Sequence, residues 1–187
     1  NDGSFLIVDS RDNRIQRYTR DGVILDQFGK EGNLNGEFKL PWGIGLDSDR
    51  NIYVSDWGNN RVQKFDNQGN FLTTIGSSGT GEGELDHPSD VTIDSDGDVY
   101  VADWGNDRVV VFESDGSYLA TLIGDATNLS RWAKAAVDSN PDLQKARDRV
   151  DLTPEWRFRR PSSINIGGDY KILIAEAQHM RVQVYQK

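Results

Sequence analysis

The chain has 187 residues, enough for one domain or for a large part of a repeat array. Its 30 acidic residues exceed its 21 basic residues, and the formal net charge of -9 argues against a nucleic-acid-binding surface, which needs clustered Lys and Arg. It has no cysteine, which excludes disulfides and thiolate metal sites, and no apolar run approaches the roughly 20 residues of a membrane helix.

The chain begins at Asn1 without an initiator methionine or a hydrophobic leader. We therefore expect a processed protein or a piece of a longer one. The compartment stays open; a signal peptide ahead of this chain would favour a secreted or periplasmic location.

A motif of the form Asp-x-x-x-x-Arg recurs along the chain at a fixed spacing. The first three copies are 47 residues apart, and a degenerate copy that begins at Glu176 follows after 73 residues. The prolines Pro41, Pro88 and Pro161 repeat the same two spacings. The copies pair Asp9 with Arg14, Asp56 with Arg61, Asp103 with Arg108, and Glu176 with Arg181. A period of this size is typical of β-propellers, and the longer last step indicates one insertion.

Each repeat unit reads as short apolar strands separated by turns rich in Gly, Asn and Asp. In the second unit we expect strands at about 43–47, 51–56, 61–66 and 70–75. The units cover about 1–39, 40–86, 87–124 and 159–187, and they hold three, four, four and three strands. Runs such as Ile52-Tyr53-Val54 are apolar on both faces, as strands covered from both sides must be.

The repeat resembles the NHL repeat. The resemblance is carried by Phe38-x-x-Pro41-x-Gly43-Ile44, by Ile52-Tyr53-Val54-Ser55-Asp56, and by Asn59-x-Arg61-Val62-Gln63. It covers most of the chain outside about 125–158 and implies one four-stranded blade per repeat, usually six in a ring. The sequence therefore predicts an all-β fold, an incomplete NHL-type propeller of about four antiparallel blades. A closed four-bladed ring is the alternative.

Residues 125–158 do not follow the strand pattern and are predicted to form a helical insertion. We expect two short helices, the second with Asn140 as its N-cap and Pro141 at its first position. Residues 125–160 hold eight basic and six acidic residues, whereas the remainder holds 13 and 24. The densest basic run is Arg157-Phe158-Arg159-Arg160.

Strand directions in an up-and-down blade place two kinds of loop at one end of the propeller. These are the turns between the second and third strands and the links from one blade to the next. We call this end the loop face, and binding residues concentrate on such loops. Its candidate partner-binding residues are Trp42, Trp57, Trp104, Trp132, Arg157, Arg159 and Arg160.

Each candidate also has a structural interpretation. The Asp–Arg pairs could form a ring of ligand-binding charges, but their recurrence in every unit favours a turn motif in which Asp accepts backbone N–H bonds across the hairpin and Arg braces the neighbour. The tryptophans could fill the core and the arginines could be solvated. The two histidines, His87 and His179, form no ligand pattern and are interpreted as solvated or packed.

No cofactor is predicted. The stretch Asp94-Ser95-Asp96-Gly97-Asp98 invites a calcium site, but its glycine is misplaced for a calcium loop and a hairpin turn is favoured. No serine or cysteine triad can be assembled without one of the two histidines.

Three functions remain. The leading hypothesis is a non-enzymatic scaffold that binds a protein, peptide or glycan through the loop face. The second is part of a propeller lyase or hydrolase whose metal site is completed by further blades, a possibility that the family resemblance implies. The third, RNA binding, is disfavoured by the acidic charge. Open blade edges would allow two copies to dimerise.

Overall fold

A computed structural model describes residues 3–125 and 131–187, without the side chains of 131–133. Its sheets form a series of antiparallel blades in chain order. Blade 1 contains β1 (Phe5–Asp9), β2 (Arg14–Tyr18) and β3 (Ile24–Phe28). Blade 2 contains β4 (Pro41–Leu46), β5 (Ile52–Asp56), β6 (Arg61–Phe65) and β7 (Phe71–Ile75).

Two short parallel strands in the next link, β8 (Ser77–Ser78) and β9 (Glu84–Leu85), precede the third blade. Blade 3 contains β10 (Pro88–Ile93), β11 (Val99–Asp103), β12 (Arg108–Phe112) and β13 (Tyr118–Leu122). Blade 4 contains β14 (Pro161–Ile166), β15 (Lys171–Glu176) and β16 (Arg181–Gln186). The predicted all-β arc of a propeller is confirmed.

Three helices lie between blades 3 and 4. They are α1 (Arg131–Asp138), α2 (Pro141–Arg147) and α3 (Thr153–Trp156). Asn140 caps α2 as predicted, since its side-chain oxygen accepts hydrogen bonds from the N–H groups of Asp142 and Leu143. Two helices were predicted here, whereas the structure has three.

The core lies between successive blades. One cluster joins blades 1 and 2, a second joins blades 2 and 3, and a third joins blades 3 and 4. Every residue of β5 and of β11 is buried, because each of these strands is covered on both faces. The apolar runs seen in the sequence are therefore what a stack of blades requires.

The first strands of the four-stranded blades approach one another most closely. A Cβ atom on Gly43 in β4 would lie 2.4 Å from the Cα of Asp90 in β10. Asp90 in turn connects β10 to β14, because its carboxylate accepts hydrogen bonds from Ser163 Oγ and the Ile164 N–H. Burial raises the pKa of Asp90, although these hydrogen bonds oppose the shift. This close packing fixes the angle between neighbouring blades and hence the positions of the loops above them.

Candidate functional site

The Asp–Arg motif fastens each link to the turn of the blade that follows it. In blade 3 the carboxylate of Asp103 is fully buried and accepts the Asp86 N–H at 2.7 Å and Arg108 Nε at 2.8 Å. Arg108 continues into the link, where it donates to the carbonyls of Thr80, Gly81 and Glu84. Burial raises the pKa of Asp103 against the effect of its hydrogen bonds, as expected of a carboxylate that loses its water on folding.

Other blades repeat this arrangement with small changes. Asp56 accepts the Lys39 N–H and Arg61 Nε, each at 2.8 Å. In blade 4 the longer Glu176 takes the same place and accepts the Arg159 N–H and Arg181 Nε. The backbone N–H groups of Asp86, Lys39 and Arg159 belong to the links. The prediction that the acidic residue accepts backbone N–H bonds across the hairpin was therefore wrong for these three blades.

The first copy of the motif is weaker. The carboxylate of Asp9 accepts hydrogen bonds from Arg14 Nε at 3.1 Å and from the Asp12 N–H at 3.2 Å, and its side chain is 24 % exposed. The same pair of residue types therefore lies in two environments within one chain, one buried and one partly hydrated.

A second repeated device joins neighbouring blades. The residue before each repeat proline donates its backbone N–H to the side-chain oxygen of the residue that ends the turn of the preceding blade, at 2.7 to 2.9 Å. Both residues of each pair have a positive φ between 51° and 55°. The pairs are Leu40 with Asn13, His87 with Asn60, and Arg160 with Asp107.

Left-handed backbone is enriched for Asn, Asp and His but unusual for Leu and Arg. Such strain persists only where the surrounding structure imposes it, and it is concentrated at functional sites. We call these three pairs the link anchors. The sequence carried one signal for them, because Asn13, Asn60 and Asp107 follow one another at the 47-residue spacing of the repeat.

Side chains held by the link anchors meet the predicted tryptophans in a continuous row. Trp42 contacts Trp57 edge-on at 5.8 Å between ring centroids, and Trp57 lies 6.3 Å from Trp104. His87 packs on Trp57 at 4.1 Å. The guanidinium of Arg160 lies 4.3 Å from the centroid of the Trp104 ring. We call these five residues the aromatic row.

One end of the aromatic row is apolar and open to solvent. Trp42 is 56 % exposed and Leu40 is 46 % exposed, and both line a shallow pocket together with Ser10 and Trp57. The indole N–H of Trp57 is buried and has no hydrogen-bond partner within the described residues. Large apolar side chains exposed side by side, next to a buried donor, are typical of a contact surface.

The other end of the row is basic. Arg157, Arg159 and Arg160 are exposed, whereas Phe158 between them is buried in the core shared by blades 3 and 4. Phe158 therefore fixes the run to the blade stack and leaves its charges in solvent. Among residues 3–125 and 131–187, no carboxylate forms a salt bridge with any of these three guanidinium groups.

The structure thus brings together Trp42, Trp57, Trp104 and Arg160. Arg157 and Arg159 are exposed on the link that leads to Arg160, and the side chain of Trp132 lies outside the described residues. Sequence reasoning missed the place of His87 in the row and of Leu40 beside Trp42. His87 is packed, one of its two predicted states, but against an aromatic ring of the candidate site.

The stretch 94–98 forms the turn between β10 and β11 at the opposite end of the blades. The ammonium group of Lys187 contacts the carboxylates of Asp94, Asp96 and Asp98 there. Burial favours a higher pKa for Asp94, but the hydrogen bonds from Lys187 and from two backbone N–H groups outweigh it and lower the pKa below its usual value. This acidic turn is therefore occupied by a cation of the chain itself.

Within the part of the chain that the structure describes, no group of three or more His, Asp or Glu side chains is arranged to hold a metal ion. In the same residues, no helix has the length and hydropathy needed to span a membrane.

Comparison with known proteins supports the propeller architecture. The profile of the DUF5128 family, described as a 6-bladed beta-propeller, matches residues 46–136, which is just under half of the chain. No curated protein sequence matches the chain.

Several solved structures share the fold. Hydrazine synthase from Kuenenia stuttgartiensis superposes with a TM-score of 0.61 at 12 % identity, over 97 % of this chain and 42 % of that one. Virginiamycin B lyase from Staphylococcus aureus gives a TM-score of 0.58 at 16 % identity, over 98 % and 52 %. A luciferin-regenerating enzyme gives 0.57 at 13 % identity, over 96 % and 52 %. The chain spans about half of these proteins or less, and at such identity the likeness concerns the fold alone.

Proposed function

We propose that this chain is a binding scaffold of the NHL type, which holds a protein, peptide or glycan on its loop face. The aromatic row carries the proposal. It is a set of large side chains at the loop face, open to solvent at Trp42 and Arg160, and supported by the link anchors and the Asp–Arg motif.

Rigidity of the support is the first argument. Binding loses less free energy to ordering when the contact residues are already fixed. Here the backbone at Leu40, His87 and Arg160 is tied to the preceding blade. The turns that carry Trp57 and Trp104 donate further hydrogen bonds to carbonyls of the links. The Gly58 N–H, for example, donates to the Lys39 carbonyl at 2.7 Å.

Residue type is the second argument. Trp and Arg are enriched among the residues that dominate the free energy of protein interfaces, and they act mainly near the centre of a contact patch. The row contains three tryptophans and one arginine within consecutive contacts of 4.3 to 6.3 Å. The Asp–Arg pairs are assigned to structure in this proposal, because their partners lie within the chain.

A pair of screens tests the proposal. The purified protein is used to select from a phage-displayed random peptide library and to probe a glycan array. Both screens are repeated with Trp42→Ser and with the control Leu72→Ser, which alters a side chain 48 % exposed on the outer strand β7. Thermal unfolding followed by circular dichroism establishes that the three proteins are equally folded.

We expect ligands that bind the native protein and Leu72→Ser but bind Trp42→Ser at least tenfold more weakly. Ligands that bind all three proteins alike would place recognition elsewhere and overturn the site. An absence of ligands in both screens would overturn the scaffold function.

A further inference from the structure

The three links carry different charges at equivalent positions around the loop face. Each link contains a buried apolar side chain, and these residues are Phe38, Leu85 and Phe158. The residue before it and the residue after it form a flanking pair. The flanking pairs are Glu37 with Lys39, Glu84 with Asp86, and Arg157 with Arg159. Only the flanking pair in the link into blade 4 is wholly basic, and this pair directly precedes Arg160. The loop face is therefore polarised along the arc, with Leu40 and Trp42 at one end and three arginines at the other.

Arg160 is presented for contact with an anion. Its guanidinium stacks on the ring of Trp104 at 4.3 Å and has no carboxylate partner among the described residues. The motif arginine Arg108, by contrast, donates to Asp103 and to three carbonyls. A guanidinium stacked on a ring keeps the N–H groups at its edge available. These N–H groups can donate two parallel hydrogen bonds to one carboxylate.

The length of the row sets the size of a ligand that touches both ends. The steps from Trp42 to Trp57, from Trp57 to Trp104, and from Trp104 to Arg160 measure 5.8, 6.3 and 4.3 Å. An extended peptide rises about 3.3 Å per residue, so a segment of about five residues covers the row when fully stretched.

From this arrangement we propose that the aromatic row binds an extended acidic peptide. An apolar side chain of the peptide packs against Leu40 and Trp42, and a carboxylate about four or five residues away pairs with Arg160. The exposed aliphatic side chain of Leu40 beside Trp42 favours an apolar residue over a sugar at that end. The inference rests on the proposed function and names the ligand of the same site.

A peptide series measures both parts of the proposal. Each fluorescein-labelled decapeptide contains one leucine and two adjacent glutamates, separated by zero to six Gly or Ser residues. Matched peptides carry glutamine in place of glutamate. Affinities are measured by fluorescence anisotropy at low and high salt. The protein is tested as native, as Arg160→Gln, and as Arg20→Gln, which removes an exposed charge from the turn between β2 and β3 at the opposite end of blade 1.

We expect the tightest binding at three or four intervening residues, with about tenfold weaker binding of the matched glutamine peptide. Arg160→Gln should weaken binding of the glutamate peptide about tenfold and leave binding of the glutamine peptide unchanged. Arg20→Gln should alter the affinity for neither peptide. Higher salt should weaken only the binding of the glutamate peptide.

Equal binding of the glutamate and glutamine peptides, absence of a spacing optimum, or absence of binding by the whole series would each overturn the acidic-peptide inference. Ligands from the peptide and glycan screens that require Trp42 would still support the scaffold function in those cases. The two proposals can therefore fail separately.

Discussion

Replacing Asp103 with asparagine preserves the shape of the side chain and removes its charge. Three donors converge on the native carboxylate, from Asp86, Arg108 and Asn106. An asparagine amide nitrogen cannot accept a hydrogen bond, so at least one of these donors loses its partner at a fully buried position. An unsatisfied buried donor costs about 1 to 3 kcal/mol, and the charge of Arg108 also loses its counter-ion. We expect Asp103→Asn to lower the free energy of unfolding by about 3 kcal/mol.

The same substitution at Asp9 is the matched control. That carboxylate accepts two longer hydrogen bonds, and its side chain is 24 % exposed. Water can therefore accept the hydrogen bond that the asparagine nitrogen cannot accept. A loss of about 1 kcal/mol or less is expected there. Equilibrium unfolding in urea measures both variants, with Trp fluorescence and circular dichroism as independent probes of a two-state transition. Equal losses at the two positions would refute the argument that burial of the motif determines its contribution.

Three further outcomes follow from other features. Lys187→Gln should reduce stability by about 1 kcal/mol at neutral pH, measured by urea unfolding. Because the pKa of Asp94 is lowered in the folded state, its contribution to stability is present above its unfolded pKa of about 4 and is lost as the pH falls through the lower folded value. The native protein and the variant should therefore converge in acid, and a difference that does not shrink as the pH is lowered would contradict this. Gly43→Ala should lower the free energy of unfolding by about 1 to 3 kcal/mol, because the added Cβ forces β4 away from β10. In the control Gly168→Ala the added Cβ meets no atom within 4 Å, so the melting temperature should be unchanged. Trp42→Ser should change stability by less than about 1 kcal/mol, because much of its ring is already in water; a larger loss in urea unfolding would make Trp42 a core residue.

Local sequence was sufficient for the blades. The 47-residue spacing, the Gly- and Asn-rich turns and the doubly apolar strands all report short-range constraints, and the β-sheets lie where those patterns place them. The cap at Asn140 is local in the same sense. The third helix, Thr153–Trp156, was missed because a four-residue helix has little propensity signal of its own.

Long-range contacts account for what the sequence could not predict about the site. The link anchors join residues 27 or 53 positions apart, and their geometry depends on a positive φ at Leu40 and Arg160 that neither residue type suggests. The hydrogen bonds that Asp103 and Asp56 accept from the links come from backbone N–H groups, which every non-proline residue carries. No residue pattern therefore shows that the bonds come from the links. Trp57 and Trp104 lie 47 residues apart and so share one repeat position, but their contact with His87 arises only from the stacking of blades.

The link anchors bind through the backbone N–H of Leu40, His87 and Arg160, and this separates the support of the loop face from its chemistry. The side chains at those three positions can differ completely, as an aliphatic group, an imidazole and a guanidinium do, while the hydrogen bond beneath each stays the same. Exchange at one position should leave the other two undisturbed, with only β-branched residues and proline excluded by the left-handed backbone. A propeller built in this way can acquire a new ligand by point substitution at one blade junction, without redesign of the fold that presents it.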